Sequence, residues 1–154
     1  MNIFVLDYNI KKCARYHCDK HVVKMILESA QMLSAAVRLN GVNQGYAITH
    51  KNHPCSKWAR ESISNWKWLR KLASELNQEY KFRFERKNNH KSYDLIQELA
   101  IPKIKDKGLT SFALAMPEKY KHNDPIISYR SFYLGEKRNL FKWTKRKIPA
   151  WVSD

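Results

Sequence analysis

A run of polar side chains between residues 16 and 37 has residue types and spacing that suit a reaction site. The stretch reads YHCDKHVVKMILESAQMLSAAV, and polar residues recur along one line of a helix: His17, His21, Lys24, Glu28 and Gln31. A carboxylate and an amine on one half-buried helix face shift each other's pKa. A lysine with a lowered pKa can attack a sugar C1′ and form a Schiff base. The candidate catalytic residues are therefore Glu28, His21 and Lys24, with Asp7 as a second acid behind an apolar run.

Two other interpretations of this stretch stay open at the level of sequence. The polar line is also typical of a solvated helix edge, on which Lys24 pairs with Glu28 one turn away. Most Cys and His residues fall in two clusters, and His17 and His21, one turn apart, could hold a metal ion. The cluster members are Cys13, His17, Cys18, His21, His50, His53 and Cys55. Because no spacing matches a standard zinc motif, we predict no metal and no cofactor.

A central helix must position the polar line. At about 100° per residue, the apolar side chains of this stretch cover an arc of roughly 220°, far wider than the stripe of a surface helix. The residues at the centre of that arc are Val22, Ile26, Ala30, Leu33 and Val37. We therefore expect this helix to run through the middle of the domain.

The rest of the chain predicts an all-α single domain over residues 1–154. Residues 2–8 are a short apolar segment, expected to be extended. A second long helix is predicted from Pro54 to about Phe84, a short helix over Ser92–Leu99, and a third long helix from Pro125 to about Trp143. The sequence thus predicts three long helices and one short one, with residues 100–124 mostly loop.

The charge of the chain indicates a polyanionic partner. Lys and Arg total 29 against 14 Asp and Glu, a net charge of +15 on 154 residues, and double-stranded DNA is the expected partner. No apolar run is long enough to span a membrane. Three cysteines without a CxxC pair suit a reducing compartment, so we expect a cytoplasmic location, in the host cell if the gene is viral. The predicted nucleic-acid-binding residues are Lys20, Arg83, Arg86, Lys87, Lys142, Lys145, Arg146 and Lys147.

The spacing Asp19-x-His21-x6-Glu28 on a first long helix resembles the phage endonuclease V type of pyrimidine-dimer DNA glycosylase. The second helix is similar too, with His53-Pro54 at its start, Trp68-Leu69-Arg70 within it, and Glu79 before a basic end. The resemblance implies a compact all-α fold, base flipping, a catalytic role for Glu28, and glycosylase activity with abasic-site lyase activity. The whole pattern also looks like uncharacterised proteins of tailed phages.

The sequence departs from that family at two places. In the family the nucleophile is the N-terminal amine exposed after Met removal before a small residue, whereas Asn2 should leave Met1 in place. The family's arginines near the glutamate are missing, and Leu27 precedes Glu28. The nucleophile is then the Met1 amine, or Lys24 or Lys20 instead. Two other functions compete with the glycosylase: a non-catalytic phage-type nucleic-acid-binding protein, and a metal-dependent nuclease or nucleotide-modifying enzyme.

Overall fold

A computed structural model describes residues 1–152 and confirms the all-α fold. No β-strand occurs among these residues. Residues 1–152 form six α-helices and three short 3₁₀ turns. The helices are α1 (Ile10–Tyr16), α2 (Asp19–Leu39), α3 (Pro54–Glu61), α4 (Ile63–Arg83), α5 (Lys91–Glu98) and α6 (Pro125–Glu136), and the 3₁₀ turns are Glu118–Tyr120, Arg138–Leu140 and Ala150–Val152. None of the helices in this part of the chain has the length and hydropathy needed to cross a membrane.

Helix α2 is the central element, as its apolar arc predicts. It packs against α3, α4 and α5. The side chains at the centre of the arc are fully buried, and Val22, Ile26 and Leu33 all have 0% exposure. The helix ends at Asn40, where Gly41 adopts a positive φ of 93° that a side chain would disfavour.

The second long helix is two helices, so the prediction of one helix from Pro54 to Phe84 is wrong. Ser62 has φ −149° and ψ 145°, which is extended backbone, and it separates α3 from α4. Its hydroxyl donates to the carbonyl oxygen of Gly108 at 2.7 Å, so the long loop after α5 stabilises the break. The apolar pattern of the sequence does not indicate this break. Buried side chains recur on both sides of Ser62, with Trp58 in α3 and Trp66 in α4.

The last helix ends at Glu136, seven residues before the predicted end at Trp143. Beyond it the chain folds back onto the start of α2 rather than continuing as a helix. The Trp143 indole donates to the carbonyl oxygen of Tyr16 at 2.9 Å. The Asp19 carboxylate accepts both the backbone N–H and the hydroxyl of Thr144. A helix to residue 143 would remove these contacts.

The N-terminal segment is a buried strap without regular structure. Ile3, Phe4, Val5 and Leu6 are all buried in the main core. The Phe4 ring stacks on the ring of His21, with centroids 4.4 Å apart. This packing fixes the strap against α2 and places the first two residues of the chain beside the middle of that helix.

Candidate active site

The carboxylate of Glu28 lies at the centre of a cluster of nitrogen atoms. Glu28 is only 6% exposed, although it is ionisable. Its Oε1 accepts the backbone N–H of Asn2 at 2.8 Å and lies 3.3 Å from the amine of Met1. Its Oε2 lies 3.8 Å from Nζ of Lys24. A buried carboxylate needs such partners, and here one of them is a terminal amine.

The two residues that present this amine are held firmly by the fold. The Met1 side chain is 3% exposed and packs against the core. The Asn2 side chain donates from Nδ2 to the carbonyl oxygen of Ala115 at 2.9 Å and accepts the Ile3 N–H on Oδ1 at 2.8 Å. The long loop before α6 thus anchors the start of the chain. The amine is fixed next to a carboxylate rather than moving freely in solvent.

Lys24 lies at the solvent rim of this cluster. Its side chain is 65% exposed, and its neighbours on the helix, Val23 and Leu27, are exposed as well. Its ammonium group is therefore open to solvent rather than enclosed by apolar side chains. Its exposed ammonium suits contact with phosphate better than attack on carbon.

His21 is buried and neutral. Burial, with smaller contributions from His17, Lys137 and Lys24, lowers its pKa to about 3. Its Nδ1 forms a 2.6 Å hydrogen bond with the Tyr133 hydroxyl, and its ring stacks on Phe4. His21 therefore positions the N-terminal strap, and no hydrogen bond joins it to Glu28 among residues 1–152.

A comparison with protein families decides what this geometry belongs to. The family model described as pyrimidine dimer DNA glycosylase matches residues 1–93, more than half of the chain. The chain belongs to the pyrimidine dimer DNA glycosylase family. The matched range contains α1 to α4 and the whole Glu28 cluster apart from the Ala115 anchor. Comparisons with curated proteins and with solved structures found no match.

Asp7 takes no part in the Glu28 cluster. Its carboxylate pairs with Arg130 at 3.0 Å and accepts the backbone N–H of Asn9 at 2.8 Å. The Arg130 guanidinium in turn lies over the rings of Tyr16 and Trp151, at 5.5 and 5.4 Å from their centroids. These contacts fix the turn before α1 to the C-terminal segment and give Asp7 a structural role.

Arg83 is not available to DNA, which corrects its assignment as a phosphate-binding residue. It is 2% exposed, and its guanidinium pairs with Asp19 and Glu79 at 3.1 Å each. It also donates to the carbonyl oxygens of Arg15 and His17. A buried guanidinium with this many protein partners locks α4 to the start of α2.

Two further predicted phosphate contacts are also engaged in ion pairs. Arg146 is half-buried and binds Glu79 through two hydrogen bonds, at 2.9 and 2.7 Å. Burial raises the pKa of Glu79, but the hydrogen bonds and charges of Arg146 and Arg83 outweigh it and hold that pKa below its ordinary value. Lys145 pairs with Glu85 at 3.0 Å. The predicted residues that are exposed and form no ion pair within residues 1–152 are Lys20, Arg86, Lys87, Lys142 and Lys147.

His53 is a residue near the site that the sequence indicated only as a helix start. It caps α3, and its Nδ1 accepts the backbone N–H of Cys55 at 3.1 Å. Burial lowers its pKa, and so does the N-terminal ammonium, whereas Glu28 raises it. The ring of His53 therefore lies within electrostatic range of both the N-terminal amine and the Glu28 carboxylate. Cys55 connects the two regions, because its thiol donates to Oδ1 of Asn2 at 3.7 Å.

The two Cys and His clusters of the sequence do not form a metal site in the described part of the chain. No three His, Cys, Asp or Glu side chains converge there. Cys13, Cys18 and Cys55 are free and buried, and burial raises the pKa of Cys13 to about 12 and that of Cys55 to about 11. These thiols stay protonated and act as core side chains.

Proposed function

We propose that this protein breaks a glycosidic bond of a pyrimidine dimer in double-stranded DNA by using its N-terminal amine as the nucleophile, and that it then cleaves the strand as an abasic-site lyase. The observation that carries the proposal is the pairing of the terminal amine with the buried carboxylate of Glu28, 3.3 Å apart. A nucleophilic amine beside an acid is the combination that Schiff-base chemistry at C1′ requires.

The terminal amine is a better nucleophile for this reaction than Lys24. The amine is positioned by a buried Met1 side chain, whereas Lys24 is mostly exposed. Positioning of a reactant contributes strongly to rate.

The geometry tolerates either residue at the start of the chain. The nitrogens of Met1 and Asn2 approach the same Glu28 oxygen, at 3.3 and 2.8 Å. Retention of Met1 therefore leaves an amine at the carboxylate, and its removal would expose the Asn2 nitrogen there. The departure from a small second residue is thus compatible with amine chemistry.

In the first step the unprotonated amine attacks C1′ of the flipped nucleotide. A nitrogen–C1′ bond forms, the glycosidic bond breaks, and its electron pair leaves with the pyrimidine, which takes up a proton. The Glu28 carboxylate stabilises the positive charge that develops on the sugar and accepts a proton from the attacking nitrogen. Glu28 then returns that proton to the ring oxygen as the C1′–O4′ bond breaks, so the sugar ring opens to a protonated imine and the carboxylate is restored.

In the second step the imine makes the C2′ hydrogen acidic. Glu28 lies beside the imine nitrogen and serves as the base that removes this proton. The electron pair moves into the C2′–C3′ bond, the C3′–O bond breaks, and the 3′ phosphate leaves. Water then hydrolyses the imine and restores the amine. One carboxylate thus serves both steps, which agrees with its central position among the nitrogens.

Borohydride trapping on abasic-site and dimer-containing duplexes tests the proposal. Wild type should give a covalent adduct, and mass spectrometry of the digested adduct should place the link on the terminal amine. Lys24→Gln should still give the adduct, whereas extension of the N-terminus by a few residues should abolish it. The intact mass of the free protein shows whether Met1 or Asn2 carries the terminal amine.

The trapping experiment also separates the competing function. The net charge of +15 favours a nucleic-acid-binding protein, which would bind these duplexes without forming an adduct. Binding without trapping, and without release of the dimer, would replace the glycosylase proposal with that function. An adduct on Lys24 would keep the reaction and change the nucleophile.

A further inference from the structure

Two aliphatic side chains are exposed on the helix that carries Glu28. Val23 is 37% exposed and Leu27 is 39% exposed. They are one turn apart on α2, so they form a short ridge. Neither belongs to the buried core within residues 1–152. Each member of the ridge precedes Lys24 or Glu28 in the sequence, so the ridge lies about 100° around the helix from that pair.

The ridge borders a hollow with an apolar floor and a basic rim. The hollow has a volume of about 450 Å³, and its lining consists of Asp19, Lys20, Val23, Lys24 and Phe84. Lys20 and Lys24 are exposed, and the Asp19 carboxylate is already bound by Arg83 and Thr144. The surface therefore offers aliphatic and aromatic groups beside two exposed lysines, Lys20 and Lys24.

We propose that Val23 and Leu27 enter the DNA base stack beside the lesion, and that Lys20 and Lys24 bind the flanking phosphates. This inference rests on the proposed glycosylase function. An enzyme that takes a nucleotide out of the duplex leaves a gap in the stack. DNA-bending proteins commonly fill such gaps with aliphatic wedges. The wedge here stands next to the carboxylate that the flipped sugar must reach.

Charge complementarity selects DNA as the occupant of this surface. Base stacking needs an apolar edge, and the phosphates on both sides of the gap need cations. A second copy of this chain would instead bring Lys20 and Lys24 against the same lysines, on a protein that already carries a charge of +15. The area of two aliphatic side chains is also far below that of a stable protein interface.

Substitution of Leu27 on two duplexes tests the wedge. The first duplex carries a pyrimidine dimer opposite two adenines, and the second carries the same dimer opposite two abasic analogues, so that no partner base resists unstacking. Leu27→Gln should lower the single-turnover excision rate about 10-fold or more on the first duplex and less than about 3-fold on the second. Val23→Thr, which is nearly isosteric, should act in the same direction with a smaller effect.

Leu39→Gln is the matched control. Leu39 is the last residue of α2 and is 45% exposed. It lies about 18 Å from Leu27 along the helix axis, given a rise of 1.5 Å per residue. The change removes the same side chain and should leave both rates unchanged. Gln is a good helix former, so the helix is kept in each variant.

A binding readout separates the wedge from the chemistry. A 2-aminopurine placed beside the dimer should become more fluorescent when Glu28→Gln protein binds, and much less so with Glu28→Gln/Leu27→Gln. If both duplexes lose rate equally, or if neither does, the wedge is wrong. If the 2-aminopurine fluorescence increases on binding but wild type excises nothing, the wedge is supported and the glycosylase function is rejected. A dimer of the free protein that Leu27→Gln dissociates would assign the ridge to a second copy instead.

Discussion

The carboxylate of Glu28 accepts the backbone N–H of Asn2 at 2.8 Å, although 26 residues separate them in the chain. The contact requires the buried strap of residues 3–6, which lies across α2. It also requires the loop before α6, whose Ala115 carbonyl binds the Asn2 side chain. Three distant segments thus place a terminal amine at one carboxylate.

Replacement of Glu28 by Gln should remove turnover and keep the fold. The amide can still accept the Asn2 N–H, but it carries no charge and takes no proton, so excision should fall by about 100-fold or more. DNA affinity and the unfolding midpoint should stay close to wild type. Single-turnover excision, gel-shift binding and denaturation measure the three quantities. Glu75→Gln, which breaks a pair with Lys71 on α4, is the control and should retain full activity. A fully active Glu28→Gln protein would exclude Glu28 from the reaction.

The central helix could be predicted because it depends on local spacing. Buried positions such as Val22 and Ile26 repeat with the helical period, and that period is visible in the sequence. The break at Ser62 could not be predicted, because a hydrogen bond to distant Gly108 stabilises it. Arg83 looked like part of a basic helix end, since its partners Asp19 and Glu79 meet it only in the folded chain.

DNA affinity should fall steeply with salt, with a log–log slope of about −4 or steeper for about five phosphate contacts. In the C-terminal basic cluster, Lys145 and Arg146 form ion pairs, whereas Lys142 and Lys147 are exposed without one within residues 1–152. Lys142→Gln/Lys147→Gln removes two exposed cations and should flatten the slope by about 1.8, at about 0.9 per phosphate. Arg146→Gln should hardly change the slope, because that guanidinium already binds Glu79. Binding isotherms from about 50 to 300 mM salt measure the slopes of wild type and variants. The Debye length is about 10 Å at 0.1 M salt, within this range. A flat wild-type slope would remove nucleic acid as the main partner.

Arg83→Gln should destabilise the protein by about 3 to 5 kcal/mol. It leaves the buried carboxylate of Asp19 without its cation, and that of Glu79 with Arg146 alone. Urea denaturation measures the free energy of unfolding. Arg86→Gln, three residues further along and exposed, should change it by no more than about 0.5 kcal/mol. If Arg83→Gln instead kept full stability and weakened DNA binding, the phosphate-binding assignment of Arg83 would be restored.

Acid should weaken the fold through two buried histidines. Burial lowers the pKa of His17 to about 4 and that of His21 to about 3, against about 6.5 in the unfolded chain. The unfolded state therefore binds more protons below pH 6.5, and stability is lost as the pH falls from 6.5 towards 4. Each histidine should account for about 2 kcal/mol of the loss between pH 7.5 and 5. His21→Gln, which does not titrate, should lose about 2 kcal/mol less than wild type over that range in urea denaturation. Equal losses in the two proteins would show that His21 is not buried as a neutral ring.

His53 should contribute to excision through the edge of its ring that faces away from α3. Its Nδ1 accepts the Cys55 N–H, so the proton of the neutral ring is on Nε2, where it can donate to a substrate oxygen. His53→Asn should lower single-turnover excision about 10-fold or more and keep the helix cap, because Asn is a strong N-cap residue.

His90 is the matched control, since it caps α5 through the same contact, from Nδ1 to the Ser92 N–H at 3.1 Å, and burial lowers its pKa as well. Because nothing places His90 within range of the amine or Glu28, His90→Asn should leave the rate unchanged. If the two variants lose the same activity, or if His53→Asn loses activity only in proportion to its stability, the His53 ring acts as a cap and nothing more.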